Sequence, residues 1–183
     1  MEDDQVIKKV ILEKAKCYSP NFSNWFGDWI NDPENSSKVV DENGEPLVVY
    51  HGSRSEVPFN EFSYDYLRAD DGFYFTSGKK YMQLYNQNDV TFATFLNIRN
   101  PRYMDNIIHD SVRQAFSVEF DPKNPIDGII GHDRRTNEFE ESLGEEHMEY
   151  VAMRPDQIKS AIGNNGQFSS SNNIYEESIF SYN

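Results

Sequence analysis

The stretch LVVYHGS, residues 47–53, follows the turn sequence DENGEP at 41–46. Its β-branched and aromatic residues favour a strand, and a continuous apolar run next to a turn is typical of a strand buried on both faces. We predict that this strand ends at His51, where Gly52 and Ser53 interrupt the apolar run. It therefore places a titratable imidazole beside a glycine at the end of a core strand.

The remaining segments mix strands with a few helices and show no βαβ rhythm, which predicts an α+β fold. The predicted strands lie in DGFYFTS at 71–77, VTFATFLNIRNP at 90–101, IDGIIGHD at 126–133, MEYVAMRP at 148–155 and DQIKSAI at 156–162. Helices are predicted over 4–17, around the aromatic repeat of Phe22, Trp25, Phe26 and Trp29, from Lys79 to Tyr85, and over 110–116. Pro101 is expected to terminate the third strand.

Size and charge limit the classes of partner. The 183 residues correspond to one compact domain, and the formal net charge of −14 repels nucleic acid and anionic membranes. We therefore expect no broad nucleic-acid surface and no membrane association. A single cysteine excludes an internal disulfide, and the four histidines have no zinc-ligand spacing, so no metal is predicted. The charged N-terminus is unlike a signal peptide. This favours a cytoplasmic location, or delivery into a target cell by a signal of another kind.

Three strand-borne sites carry candidate chemistry: His51, Tyr74 in GFYF at 72–75, and Glu149 in MEYV at 148–151. Side chains alternate along a strand, so Glu149 shares a face with the apolar residues Val151 and Met153. Each residue also has an ordinary explanation: a hydrogen-bonded core histidine, a packed tyrosine, and a strand end that reaches water.

Together the three sites resemble the His-Tyr-Glu branch of the ADP-ribosyltransferases, which includes diphtheria-like toxins and poly(ADP-ribose) polymerases. The resemblance rests on HGS at 51–53, on GFYF, on a second tyrosine eleven residues after Tyr74 at Tyr85, and on EYVAMRPDQ at 149–157. More narrowly, a series of blocks from about Trp25 to Phe168 is similar to the ADP-ribosyltransferase domains of bacterial and phage polyvalent proteins. These blocks are WFGDW, KVVDENGEPLVVYHG, FLNIRNP, DGIIG, QIKSA and NNGQF.

The resemblance implies two small antiparallel sheets that form an NAD cleft, with N-terminal helices packed on the body. It implies that Gly52 offers backbone hydrogen bonds to the nicotinamide carboxamide and that Tyr74 and Tyr85 stack on the nicotinamide. It also implies that His51 hydrogen-bonds a hydroxyl of the adenosine ribose, with Ser53 assisting nearby. Glu149 would stabilise the oxocarbenium-like state formed when the nicotinamide–ribose bond breaks.

Several positions leave the donor and acceptor sites open. Arg54 and Arg68 could each reach the pyrophosphate, or each could be a solvated surface charge. His147 stands where arginine-modifying members carry a second Glu, and we expect it to cap a solvated loop rather than to orient an acceptor. Met82 occupies a position that is a small hydroxyl residue in many polymerases, which removes one expected contact to nicotinamide.

The predicted organisation is an N-terminal helical region at 1–40, a catalytic domain at 41–168 and a polar surface tail at 169–183. The resemblance favours a monomeric mono(ADP-ribosyl)transferase effector or toxin that uses NAD and modifies a macromolecule, with protein as the expected acceptor. Glutamates between residues 138 and 146 form either a solvated face or a recognition surface for a basic partner. The alternatives are an NAD glycohydrolase and a catalytically inactive NAD-binding or interaction module.

Overall fold

The computed structural model describes residues 15–66, 72–83, 90–105, 107, 125–132 and 147–176. Of the helix predicted over 4–17, only residues 15–17 fall within these ranges, and residues 15 and 16 are helical. The predicted helix at 110–116, Arg68, Tyr85 and the glutamates between 138 and 146 lie outside the described residues. No helix in the described ranges has the length and apolar character that a membrane span requires.

Seven short strands form one mixed sheet in the described residues. The strands are β1 (Val49–Ser53), β2 (Phe73–Thr76), β3 (Val90–Leu96), β4 (Pro101–Met104), β5 (Gly128–Gly131), β6 (Glu149–Ala152) and β7 (Ile158–Ser160). Their order is β4-β5-β6-β2-β1-β3-β7, and every neighbouring pair is antiparallel except the parallel pair of β4 and β5. The prediction of two separate antiparallel sheets is therefore wrong, because one register pair joins the two halves and β4 adds a parallel strand.

Pairing between neighbouring strands is shortest at the centre of the sheet. β1 pairs with β3 over five residues and β2 pairs with β6 over four, whereas β1 and β2 share only Tyr50 opposite Thr76. The halves β4-β5-β6-β2 and β1-β3-β7 thus meet at a single rung, and no residue of β2 is in register with Gly52 or Ser53.

Strand β1 differs from its prediction in two respects. It continues through Gly52 to Ser53, so His51 lies in the middle of the strand rather than at its end. Its three central residues are only partly buried, so the strand is not covered on both faces. The apolar run predicted full burial. However, β2 pairs with β1 only at Tyr50, so the rest of β1 lies beside an opening between the two strands.

Both faces of the sheet carry apolar clusters. On one face the largest cluster includes Phe62, Phe73, Phe75, Phe92 and Tyr150. On the other face Ile107, Ile129 and Val151 are packed by Tyr74 and Met104. A side chain can therefore be assigned to a face by the cluster that it joins.

The predicted aromatic helix is present as α1, Pro20–Phe26, but Trp29, the last residue of the predicted repeat, lies beyond its end. The hydroxyl of Ser19 accepts the N–H of Phe22, Pro20 occupies the first turn, and Gly27 ends the helix at a φ of 104°. A side chain at Gly27 would place its Cβ 2.3 Å from the Cα of Ser36, so glycine is required there. The apolar face of α1 packs against β3 and the C-terminal part of the chain through Phe22, Trp25, Phe26, Phe95 and Phe168.

Other predicted elements are placed as follows. DGFYFTS, IDGIIGHD, MEYVAMRP and DQIKSAI each supply a strand, as predicted. The third strand ends at Leu96, and Pro101 begins the additional strand β4. Helix α2, Lys79–Gln83, is the described part of the helix predicted to reach Tyr85.

The C-terminal tail is not confined to the surface. Ile174 is fully buried within the cluster that contains Phe62 and Phe92. Its carbonyl accepts the N–H of Ser160, and its own N–H donates to the carbonyl of Asn60. The polar composition concealed this one apolar residue, which packs the described part of the tail onto the domain.

Candidate active site

Backbone direction at the central opening follows from the hydrogen bonds on either side of it. In antiparallel strands, the N–H and C=O of one residue point to the same neighbour, and successive residues alternate between neighbours. The carbonyl of Ala93 accepts the N–H of Ala161 in the turn after β7, so Ala93 bonds away from β1. Tyr50, opposite Ala93, and Gly52, opposite Thr91, therefore direct their backbone groups away from β3 and towards β2.

The same argument applied from the other side places the groups of Tyr74. The N–H of Ser77 donates to the carbonyl of Met148, so Ser77 bonds towards β6. Alternation then directs Thr76 and Tyr74 towards β1. Gly52 and Tyr74 would form the next rung after Tyr50 and Thr76, but the two strands are not in register there. The result is a slot bordered by the backbone of Gly52 on one side and of Tyr74 on the other.

His51 bridges this slot. Its Nδ1 lies 2.8 Å from the carbonyl oxygen of Tyr74. A carbonyl only accepts, so Nδ1 carries the proton and Nε2 of the neutral ring keeps its lone pair. Burial lowers the pKa of His51, while the bond to Tyr74 acts in the opposite direction and is the smaller effect. The imidazole is therefore held neutral, with Nε2 as an acceptor.

Aromatic rings fix the orientation of the imidazole. Phe62 meets the ring edge-on with centroids 5.0 Å apart, and Phe75 and Phe92 lie at 5.4 and 6.2 Å. Phe59 packs against both Phe62 and Phe92, at 5.0 and 4.3 Å. The sequence reasoning missed the contribution of Phe59 and Phe62, although their spacing of three in the loop after β1 was a visible signal.

Glu149 begins β6 opposite Thr76, which is in turn opposite Tyr50. Cross-strand partners share a face, so the side chains of Glu149, Thr76 and Tyr50 lie on the face that also carries Tyr74. The Glu149 side chain is partly exposed. Tyr150, the next residue, points to the opposite face, where burial raises its pKa to about 12, so the phenol stays protonated.

The predicted site residues thus lie on neighbouring strands, but their side chains project from both faces of the sheet. His51, Gly52, Tyr74 and Glu149 lie on the three adjacent strands β1, β2 and β6. The imidazole packs with Phe75 and Phe92, whereas Tyr74 and Glu149 project from the other face. The side chains therefore lie on opposite faces of the sheet, and their predicted catalytic and binding roles stay predictions.

The other predicted contacts differ in their surroundings. Ser53 is buried, and its hydroxyl accepts the N–H of Ser55. Arg54 is exposed. Met82 is buried, with its sulfur 3.5 Å from the hydroxyl of Thr91. Since Thr91 lies opposite Gly52, this contact places α2 over the face that carries Glu149.

The environment of His147 differs from the prediction that it caps a solvated loop. Only 2% of its surface is exposed, so it does not cap a solvated loop. It lies two residues before Glu149, and the N–H of the intervening Met148 donates to the hydroxyl of Ser77. No group of three or more His, Cys, Asp or Glu side chains suited to hold a metal ion occurs in the described ranges.

The described sheet opens between β1 and β2, with a neutral histidine across the opening and a carboxylate at the start of β6, the next strand beyond β2. Residues 41–168 match the family model described as the ADP-ribosyltransferase in polyvalent proteins. The chain belongs to this family, whose members use NAD as the co-substrate for ADP-ribosylation. Comparisons with curated proteins and with solved structures gave no match.

Proposed function

We propose that this chain is an NAD-dependent mono(ADP-ribosyl)transferase that transfers ADP-ribose from NAD to a macromolecule, with protein as the favoured acceptor. The observation that carries the proposal is the slot between Gly52 and Tyr74. A primary carboxamide offers one acceptor and two donors, and Gly52 directs one N–H and one C=O into the slot. Nicotinamide can therefore take the place of the missing rung.

The face of the sheet that carries Tyr74 suits a planar ring at the slot. Gly52 has no side chain to obstruct the approach of the ring, and the ring of Tyr74 lies on the same face, packed against Val151 and Ile129. Tyr85, the second predicted stacking residue, would complete the sandwich. Nicotinamide in this position borders β2, whose other neighbour is β6, the strand that carries Glu149.

His51 is suited to bind the ribose of the adenosine half. Its Nε2 is an acceptor because Nδ1 donates to Tyr74, and a ribose hydroxyl is a donor. The imidazole and Glu149 lie on opposite faces of the sheet, so one NAD molecule that contacts both would have to extend from one face to the other. Ser53 and Arg54 follow directly along β1 and its loop, where Arg54 could reach the pyrophosphate.

The reaction requires no metal. The bond between C1′ of the ribose and the nicotinamide nitrogen breaks, and its electron pair leaves with nicotinamide, which becomes neutral. Positive charge develops on the ribose, and the carboxylate of Glu149 stabilises it. A nucleophile of the acceptor then bonds to C1′ and loses its proton to solvent or to a nearby base.

The net charge of −14 supports a cationic protein as the acceptor rather than a nucleic acid, since phosphates would be repelled at long range. The test is incubation of the chain with NAD labelled in the adenosine half and a cell lysate, next to the Glu149→Gln form. We expect labelled protein with the wild-type chain only. Nicotinamide release without labelled macromolecule would assign the chain as a glycohydrolase, and no release would refute enzymatic activity.

A further inference from the structure

Lys159 has an unusual environment for a lysine. Its side chain is fully buried at the centre of β7, although an ammonium group is costly to remove from water. Burial lowers its pKa, and the ion pair with Glu176 opposes this effect. The ammonium also donates to the carbonyls of Ser171 and Asn173, at 2.6 and 3.1 Å. All three acceptors lie in residues 171–176, which we call the C-terminal strap.

The strap in turn contacts the loop that follows β1. The N–H of Ile174 donates to the carbonyl of Asn60 at 2.8 Å, and Asn173 forms a β-bridge with Glu61. The side-chain amide of Asn172 donates to the carboxylate of Glu61 at 3.0 Å. Three consecutive strap residues therefore fix the two loop residues that lie between Phe59 and Phe62.

Phe62 packs edge-on against the imidazole of His51, and Phe59 packs against Phe62. The fully buried side chain of Ile174 belongs to the same apolar cluster as Phe62. A continuous set of contacts thus runs from Lys159 through the strap and the loop to His51. The strap lies beyond residue 168, where the match to the family ends.

We propose that Lys159 and Glu176 are positioning residues, which hold the C-terminal strap against Phe59 and Phe62 and thereby fix the orientation of the His51 imidazole. A buried ammonium with three acceptors in one short segment constrains that segment strongly, because every displacement leaves a buried charge without its partners. The effect on NAD binding rests on the function proposed above, whereas the effect on the imidazole does not.

The first test measures the imidazole directly, by NMR titration of the histidine ring signals. The His51 signal is assigned by its loss in His51→Asn. In the double variant Lys159→Met/Glu176→Gln, which removes both charges and keeps similar side-chain lengths, we expect the pKa of His51 to rise towards its ordinary value. The reason is that a loosened loop admits water to the ring. Arg154→Gln, which breaks the exposed ion pair with Asp156, is the matched control and should leave this pKa unchanged.

The second test separates positioning from general structural support. Loss of a contact between His51 and NAD should raise KM for NAD about tenfold and leave kcat per folded molecule within about twofold. A merely structural role would instead lower the folded fraction at constant KM. Thermal unfolding of each variant gives the folded fraction.

Asn172→Ala is the milder variant in case the double variant does not fold. It removes an exposed contact to Glu61, so folding should be kept and the pKa of His51 should shift partly in the same direction. If a folded strap variant leaves both the His51 pKa and KM at wild-type values, the positioning role is refuted. If the wild-type chain neither binds nor cleaves NAD while the His51 pKa still shifts, only the proposed function fails.

Discussion

The Nδ1 nitrogen of His51 lies 2.8 Å from the carbonyl oxygen of Tyr74, and this bond takes the place of a backbone rung between two central strands. In a continuous ladder, the carbonyl of Tyr74 would accept the N–H of Gly52. The imidazole satisfies the carbonyl instead, which leaves the backbone groups of Gly52 directed into the slot. One side chain therefore stabilises the opening of the sheet and presents an acceptor beside it.

The carboxylate of Glu149 is the first group to test. We expect Glu149→Gln to fold and to bind NAD as the wild-type chain does, while nicotinamide release falls by about a hundredfold or more, because the amide keeps the shape and loses the charge. Thermal unfolding, NAD titration and nicotinamide assay check the three parts. Glu42→Gln, in an exposed turn, is the matched control. Full turnover in Glu149→Gln would remove this residue from the mechanism.

Two substitutions of His51 separate its two ring nitrogens. Asparagine can place an N–H near the position of Nδ1 and keep the bond to Tyr74, but it has no group at Nε2. We expect His51→Asn to fold normally and to raise KM for NAD about tenfold, the effect of one lost hydrogen bond. His51→Phe also loses the bond to Tyr74, so its free energy of unfolding should fall further. Equal KM in His51→Asn and wild type would contradict the ribose contact.

Substitutions of two glycines separate an effect on nicotinamide binding from an effect on folding. Gly52→Ala should fold, since alanine is tolerated in strands, but its methyl group would project from the face where nicotinamide is proposed to lie. We expect its nicotinamide affinity to fall at least about tenfold, measured as competitive inhibition of NAD cleavage. In Gly131→Ala, the new Cβ would lie 1.9 Å from the carbonyl oxygen of Met104, so that variant should lose stability instead. Unchanged nicotinamide affinity in a folded Gly52→Ala variant would exclude the proposed carboxamide position.

The lowered pKa of His51 predicts a dependence of stability on pH. The unfolded chain binds a proton near pH 6.5, whereas the folded chain does so only at lower pH. The stabilisation from the neutral imidazole is thus fully present above about pH 6.5 and is lost as the pH falls through the folded pKa. Urea unfolding from pH 8 to pH 5 should show this loss in the wild type, and a smaller one in His51→Asn. Parallel curves for the two proteins would contradict the assignment.

A substitution of Gln157 should lower the stability of the fold without changing turnover. Its side chain is fully buried, donates to the carbonyls of Asn97 and Asp127 at 2.8 Å each, and accepts the N–H groups of Met153 and Arg154. Gln157→Leu leaves four backbone groups without this partner and should lower the free energy of unfolding by about 3 kcal/mol or more. Urea unfolding measures the loss, with the exposed Gln167→Leu as control. Turnover per folded molecule should stay at the wild-type value.

The sequence was sufficient for the elements whose signals are local. FYFT, GIIG and EYVA are strands because their apolar and β-branched content favours strands, and the aromatic spacing of Phe22, Trp25 and Phe26 forms α1. The family, too, was predictable from its motifs, and the match over 41–168 confirms it. These features depend on residues that are close together in the chain.

The remaining features depend on pairing between distant residues, which no local pattern contains. Nothing in LVVYHGS indicates that β1 and β2 share one rung, so the single sheet and the partial burial of the centre of β1 were missed. The burial of Lys159 was missed because its acceptors lie in a polar segment that composition assigns to the surface. The burial of His147 was missed because the sequence before it is highly charged, which favoured a solvated position.

The lone rung between Tyr50 and Thr76 has a mechanical consequence. Among the described strands, β1 and β2 share the fewest backbone pairings, and a dinucleotide bound between them would connect the two half-sheets. Occupancy should then slow amide exchange on both flanking strands at once, so that the chain becomes most cohesive when its substrate is in place.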